Sequence, residues 1–164
     1  MARIEYTAAL MAQEARVAER VFKHLRHHDL FRDQILAKGR DGAVFTVTLL
    51  DGRHATPIPL GFLDTQERNT FLTYGLEKCQ RLAQHGDHAA SRESRDEEQG
   101  QYPGAVRCTN SLRSVSGWSS DLDELAAVLW AVEMGDLDVE TARQILEENP
   151  EYRRYIMAPN GFMK

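Results

Sequence analysis

No stretch of this sequence is apolar for long enough to cross a bilayer. The most apolar window, Leu122 to Met134, is too short for that and is bracketed by Asp and Glu, so it is expected to be a buried core helix and no membrane is expected as a partner. A surplus of positive charge is also lacking: 20 Lys and Arg face 25 Asp and Glu, for a formal net charge of −5. Binding to a phosphate backbone relies on clustered Lys and Arg, so nucleic acid is not expected as a partner. Cysteine is scarce. Cys79 and Cys108 lie far apart among apolar neighbours, which predicts two reduced, buried thiols and fits a cytoplasmic protein. Neither a Cys-x-x-Cys pair nor a Gly-x-Ser-x-Gly turn is present, so redox chemistry and a serine hydrolase are not expected, and no motif settles a reaction. The opening residues, "MARIEYTAALMAQEARV", interrupt with charge the apolar region that a secretion signal would need.

What is present is ordinary globular usage, 42% hydrophobic and 27% charged residues over 164 positions. A chain of this length forms one domain, 1–164, and can bury roughly two-thirds of its unfolded surface. Leu10, Val17, Ala18, Val21, Phe22 and Leu25 recur at spacings of three and four and predict a first helix from Tyr6 to Leu25. The run that follows, to Gly42, has no clear register and reads as a helical or irregular connection. "AVFTVTLL" is rich in β-branched residues and meets "DG", so Ala43 to Leu50 reads as a strand entering a tight turn. Its return arm, Arg53 to Leu60, contains Pro57 and Pro59, and proline gives a ladder no donor, so this arm is predicted to be an edge strand.

Asp64 followed by Glu67 has capping-box spacing and starts a second helix, Thr65 to Gln84, with Leu72, Leu76, Cys79, Leu82 and Ala83 on its apolar side and Gly86 as its stop. Residues 85–104 are polar and mixed in charge and read as a mobile surface loop. A second hairpin, "AVRCT-NS-LRSVSG", precedes a third helix capped by Ser120 or Asp121. That helix is apolar nearly all round, so it is expected to pack against its own sheet and another element or subunit. A fourth helix, Val139 to Glu148, starts the C-terminal extension 138–164, whose aromatic tail is expected to dock. Two hairpins with helices packed on their faces make an α+β sandwich around an antiparallel sheet.

"SVSGWSSDLDELA", Ser114 to Ala126, resembles a strand, Ser-Gly turn and acidic helix start found in the GlcG/HbpS-like haem-binding and haem-degrading family, and "FTVTLLDGRH", Phe45 to His54, resembles that family's first hairpin. The two stretches cover about a third of the chain. The family's glycine-rich stretch is reduced here to "GQYPGAV", and residues 138–164 have no counterpart in it. The resemblance implies a profilin-like fold, a small-molecule ligand with haem as one candidate, and a homo-oligomer. It implies no catalysis.

On that basis Ser116, Gly117, Trp118, Ser119 and Ser120 are the candidate ligand-binding residues, with His24 and His28 nearby. The positive end of the third helix could hold a ligand carboxylate or propionate, while Gly117 and the serines equally suit a sharp strand exit and a helix cap. Trp118 is expected exposed at a pocket or interface, and Trp130 in the core. His24, His27 and His28 have the i, i+3, i+4 spacing of ligands, and the same run suits the solvated, cation-favouring end of a helix. His85 and His88 lack a third fixed partner and read as an exposed pair. A competing reading makes the protein a non-enzymatic interaction module, an acidic chaperone or adaptor that holds another chain with its apolar helix and tail.

Overall fold

The computed structural model describes residues 5–149 and Tyr152. Five helices, α1 (Ala8–His27), α2 (Asp29–Ala37), α3 (Thr65–Gln84), α4 (Ser120–Glu133) and α5 (Val139–Ile145), surround four strands. The strands are β1 (Gly42–Leu49), β2 (Ile58–Gly61), β3 (Ala105–Arg107) and β4 (Ser111–Ser116), in the order β2-β1-β4-β3 with every neighbour antiparallel. The expected α+β sandwich is the fold of this chain. Among the described residues no helix is long and apolar enough to cross a membrane.

The proline-bearing arm lies at the sheet edge, as its missing donors require. It is shorter than expected: Arg53 to Pro57 leave the ladder except for a bridge from His54 to Thr48. Alternation along β1 and β4 gives the sheet two unlike faces. Phe45, Val47, Arg113 and Val115 face α4 and α1, with Phe45 set edge-on to Trp130 at 5.2 Å. Thr46 and Ser114 face α3, where their hydroxyls meet each other and Ser114 donates to the Gly75 carbonyl at 2.9 Å.

That hydroxyl-lined face turns α3 from the predicted orientation. Phe71, Gly75, Lys78, Cys79, Arg81 and Leu82 are buried, whereas Leu72 and Leu76 are half-exposed and Ala83 is exposed. At Gly75 a Cβ would stand 3.0 Å from Ser114 Oγ and 3.2 Å from Thr46 Oγ1, so the missing side chain sets how closely helix and sheet approach. The predicted capping box is present, with Glu67 N–H donating to Asp64 at 2.7 Å and Asp64 N–H to Glu67 at 3.1 Å. The helix ends at His85 in a non-helical conformation, and not at a left-handed Gly86.

The ambiguous run after α1 is helix α2, which His28 opens by accepting the Leu30 N–H. Helix α4 is capped by Ser119, one residue before the expected cap. Leu122 to Ala131 are all buried there, covered by the sheet, α1 and α5 within the same chain, so no second subunit is needed to explain its all-round apolarity. Helix α5 stops at Ile145, three residues short of the sequence reading. Tyr152 is buried edge-on to Phe31 at 5.4 Å, and the rest of the tail, including 157–164, lies outside the described residues.

Residues 85–104 were expected to form a loose loop. They contain two short 3-10 turns, Ser91–Ser94 and Glu97–Gln99, and three arginines pin them. Arg81 donates to the carbonyls of Ser91, Ser94 and Tyr102; Arg107 donates to those of Leu82, His85 and His88. Arg92 binds both Asp121 and Glu124 on α4. A segment poor in apolar side chains is thus held by satisfied backbone carbonyls and ion pairs, which composition does not reveal.

Candidate functional site

A charged residue breaks the apolar stripe of α1. Glu14 occupies the buried face between Leu10 and Val17 and is 2% exposed. A carboxylate there is costly unless it is paired and hydrogen-bonded. Its partner comes from the inward row of β4: Arg113 donates through Nη1 and Nη2 to the two Glu14 oxygens at 2.5 and 2.7 Å, a bidentate contact. The guanidinium also lies 4.8 Å above the Trp130 ring, and its Nε reaches Asp136 at 3.4 Å. Asp136, in the α4–α5 connection, accepts from the Asn110 N–H at 2.9 Å, the Asn110 amide at 3.0 Å and the Ser111 hydroxyl at 2.6 Å. One guanidinium thus stands between two carboxylates, a buried set with an excess of negative charge.

Burial works against the charge on Arg113, but the Glu14 hydrogen bonds and charge outweigh it and raise its pKa. Tyr6, beside Glu14, has its phenol pKa raised, first by burial and then by the Glu14 charge, so it remains a neutral hydroxyl.

Two hollows meet at this set and share Tyr6 and Glu14 as walls. The inner one, about 120 Å³, lies among Tyr6, Leu10, Ser111, Arg113 and Asp136. The outer one is a groove of about 400 Å³ between α1 and edge strand β2, walled mainly by Met11, Ala12, Ala15, Pro57, Ile58 and Pro59. A mostly apolar groove closed at one end by a few convergent polar groups has the usual make-up of a small-molecule site.

The residues singled out in the sequence lie elsewhere. Ser116 ends β4 opposite Val44, and Gly117 takes φ +149° against β1, where a Cβ would stand 2.5 Å from the Gly42 carbonyl oxygen. Trp118 is buried, not exposed: it is 4% exposed and stacks on Phe22 at 5.2 Å. Ser119 caps α4, and Ser120 is the helix's first residue. Trp118 and Ser119 do line a narrow cleft, together with Gln34, Ile35, Lys38, Arg40 and Leu122.

His24 and His28 lie 5.7 Å apart, and burial, then the His28 charge, lowers the His24 pKa. Neither lines that cleft or the groove. His27 is exposed, and among the described residues no three His, Cys, Asp or Glu side chains gather as a metal site. His85 and His88 stack on each other at 4.6 Å. Cys79 and Cys108 are free and buried, as expected, and burial raises both thiol pKa values, that of Cys108 to about 12. Trp130 is fully buried in the core.

Sequence reasoning missed Tyr6, Glu14, Arg113 and Asp136. A signal existed for two of them: Glu14 falls in an apolar helical stripe, and Arg113 falls on the inward row of a strand that also carries Val115. No family model, curated protein or solved structure matches the chain.

Proposed function

We propose that the protein is a non-catalytic small-molecule binding module whose site is the groove between α1 and β2. The observation that carries this reading is the union of an apolar groove with a buried polar end, in which Glu14 and Asp136 outnumber Arg113. The apolar walls suit a compact hydrophobic body. The polar end suits a head group that donates hydrogen bonds, such as an amine or hydroxyl, because its excess charge is negative and the Tyr6 phenol stays neutral. Haem fits this groove poorly, since its propionates would meet two carboxylates and His24 and His28 lie outside the walls. Self-association, implied by the family resemblance, is part of the same proposal.

The test is ligand-observed NMR with 2-phenylethylamine and phenylacetate, the same ring carrying opposite charges, on the wild type and on Ala12→Trp, which fills the groove from an exposed position. Saturable binding of the amine, weaker binding of the acid and loss of both in the variant are expected. Equal binding by the variant, or no binding of the amine, overturns the assignment. A haemin titration followed in the Soret region is expected to stay flat. A saturable shift that His24→Ala/His28→Ala removes would transfer the function to the histidines.

A further inference from the structure

The hydrogen-bonding places around the α1–β2 groove differ in which are already taken. At its closed end Asp136 accepts from the Asn110 N–H, the Asn110 amide, the Ser111 hydroxyl and Arg113, which fills the roughly four lone-pair places of a carboxylate. Glu14 accepts two bonds from Arg113 and one from the Tyr6 hydroxyl, so one place is left, and Glu14 lines the groove. Tyr6 has spent its proton there and offers only its oxygen. The closed end therefore takes a donor.

The opposite wall is set by the register of β2. Pro59 stands opposite Val44 and has no N–H, so that pair is of the non-hydrogen-bonded kind, and the ladder bonds fall on its neighbours, Phe45 with Ile58 and Ala43 with Leu60. The Pro59 carbonyl thus points off the sheet edge, and no donor among the described residues meets it. Its ring lies on the α3 face, the side of Val44 and Thr46, so what Pro59 brings to a groove on the α1 face is its backbone. From Pro57 to Pro59 this wall has no free N–H, since both prolines lack one and that of Ile58 is bonded to β1. An added β-strand needs donors and acceptors in alternation, so the wall is a poor template for a peptide and a good one for a ligand that donates.

Given the α1–β2 groove as the ligand site, on which this rests, we propose that its ligand is a short amine with a second hydrogen-bond donor at the far end, an amino alcohol or a diamine. Its ammonium sits on Glu14, and its tail donates to the Pro59 carbonyl. The aliphatic chain between them packs on the walls of Met11, Ala12, Ala15 and Ile58.

The probes are linear amino alcohols, from aminopropanol to aminooctanol, and their methyl ethers, which keep the charge and the chain but lose the tail donor. Each is titrated against 15N-labelled protein. At the best-fitting length the alcohol should bind roughly three- to tenfold more tightly than its ether, the worth of one neutral hydrogen bond. It should also move the Leu60 amide nitrogen, which shares a peptide bond with the Pro59 carbonyl, and the ether should leave that resonance still. Ala12→Trp should abolish binding of both. Equal affinity of alcohol and ether, or an unmoved Leu60 resonance, overturns the second attachment and leaves amine binding in the groove intact. Binding that survives Ala12→Trp puts these ligands elsewhere and overturns it too. If neither this series nor 2-phenylethylamine binds, the groove is not the ligand site and both proposals fall.

Discussion

Replacing Arg113 by methionine puts the buried ion set to a quantitative test. The substitution removes the bidentate partner of Glu14, which is 2% exposed, and leaves that carboxylate with the Tyr6 phenol as its remaining polar neighbour. Breaking a buried pair from one side costs about 3–5 kcal/mol, and losing the contact over Trp130 adds about 0.5–2 kcal/mol. Asp136 should tolerate the change, because its Arg113 contact is the long one at 3.4 Å and three other donors remain. Against a typical domain stability of about 5–15 kcal/mol, the variant should show a much lower urea midpoint. The two losses together come to about 3.5–7 kcal/mol, and in a domain of this size the Tm should fall by roughly 7–28 °C. The companion Glu14→Met/Arg113→Met removes both charges, and the two stems are of similar volume, so it should recover most of the loss. A single variant that loses less than about 1 kcal/mol, or a double variant whose loss is the sum of the two single ones, would refute the view that each charge is there because of the other.

Two further predictions concern other parts of the fold. Gly117→Ala combines φ +149° with backbone atoms of Gly42 and Ala43 inside 3 Å of the new Cβ, and should cost about 3 kcal/mol or more, whereas Gly135→Ala, at φ +71° with open space around it, should cost only about 1–2 kcal/mol; equal midpoints in chemical unfolding would show that close approach to β1 is not what requires Gly117. Glu124 is fully buried against Arg92, and burial, opposed by that arginine, raises its pKa to about 7. An acid whose folded pKa lies above its unfolded value holds an extra proton between the two. Its contribution is therefore greatest below about pH 4.5 and is lost as pH rises to about 7, with a slope approaching about 1.4 kcal/mol per pH unit. The stability difference between wild type and Glu124→Gln should fall across that window; a difference independent of pH would show that Arg92 keeps Glu124 ionised throughout.

Helix α2 and the two 3-10 turns of residues 85–104 were not legible in the sequence, whereas the strands, the remaining helices and their order were. Local signals sufficed for that: 3.6-residue periodicity in α1, β-branched runs in β1 and β4, the Asp64–Glu67 box, and prolines that hold β2 at the edge. It also placed Trp130 and both thiols in the core, because an apolar side chain in an apolar context has few other places to go. The orientation of α3 was legible only in part, since Gly75 and Lys78 are not apolar and yet lie on the buried face that the hydroxyl-lined sheet selects.

The candidate sites were decided by tertiary structure alone. Glu14 and Arg113 are 99 residues apart, and nothing local to either predicts that the other will neutralise it. Residues 85–104 are ordered through Arg81, Arg92 and Arg107, whose partners are backbone carbonyls and α4 acids that no composition identifies. Periodicity reports which face of an element is turned inward. Which charge meets which across that interior depends on contacts distant in sequence, and those exist only once the sheet and its helices are assembled.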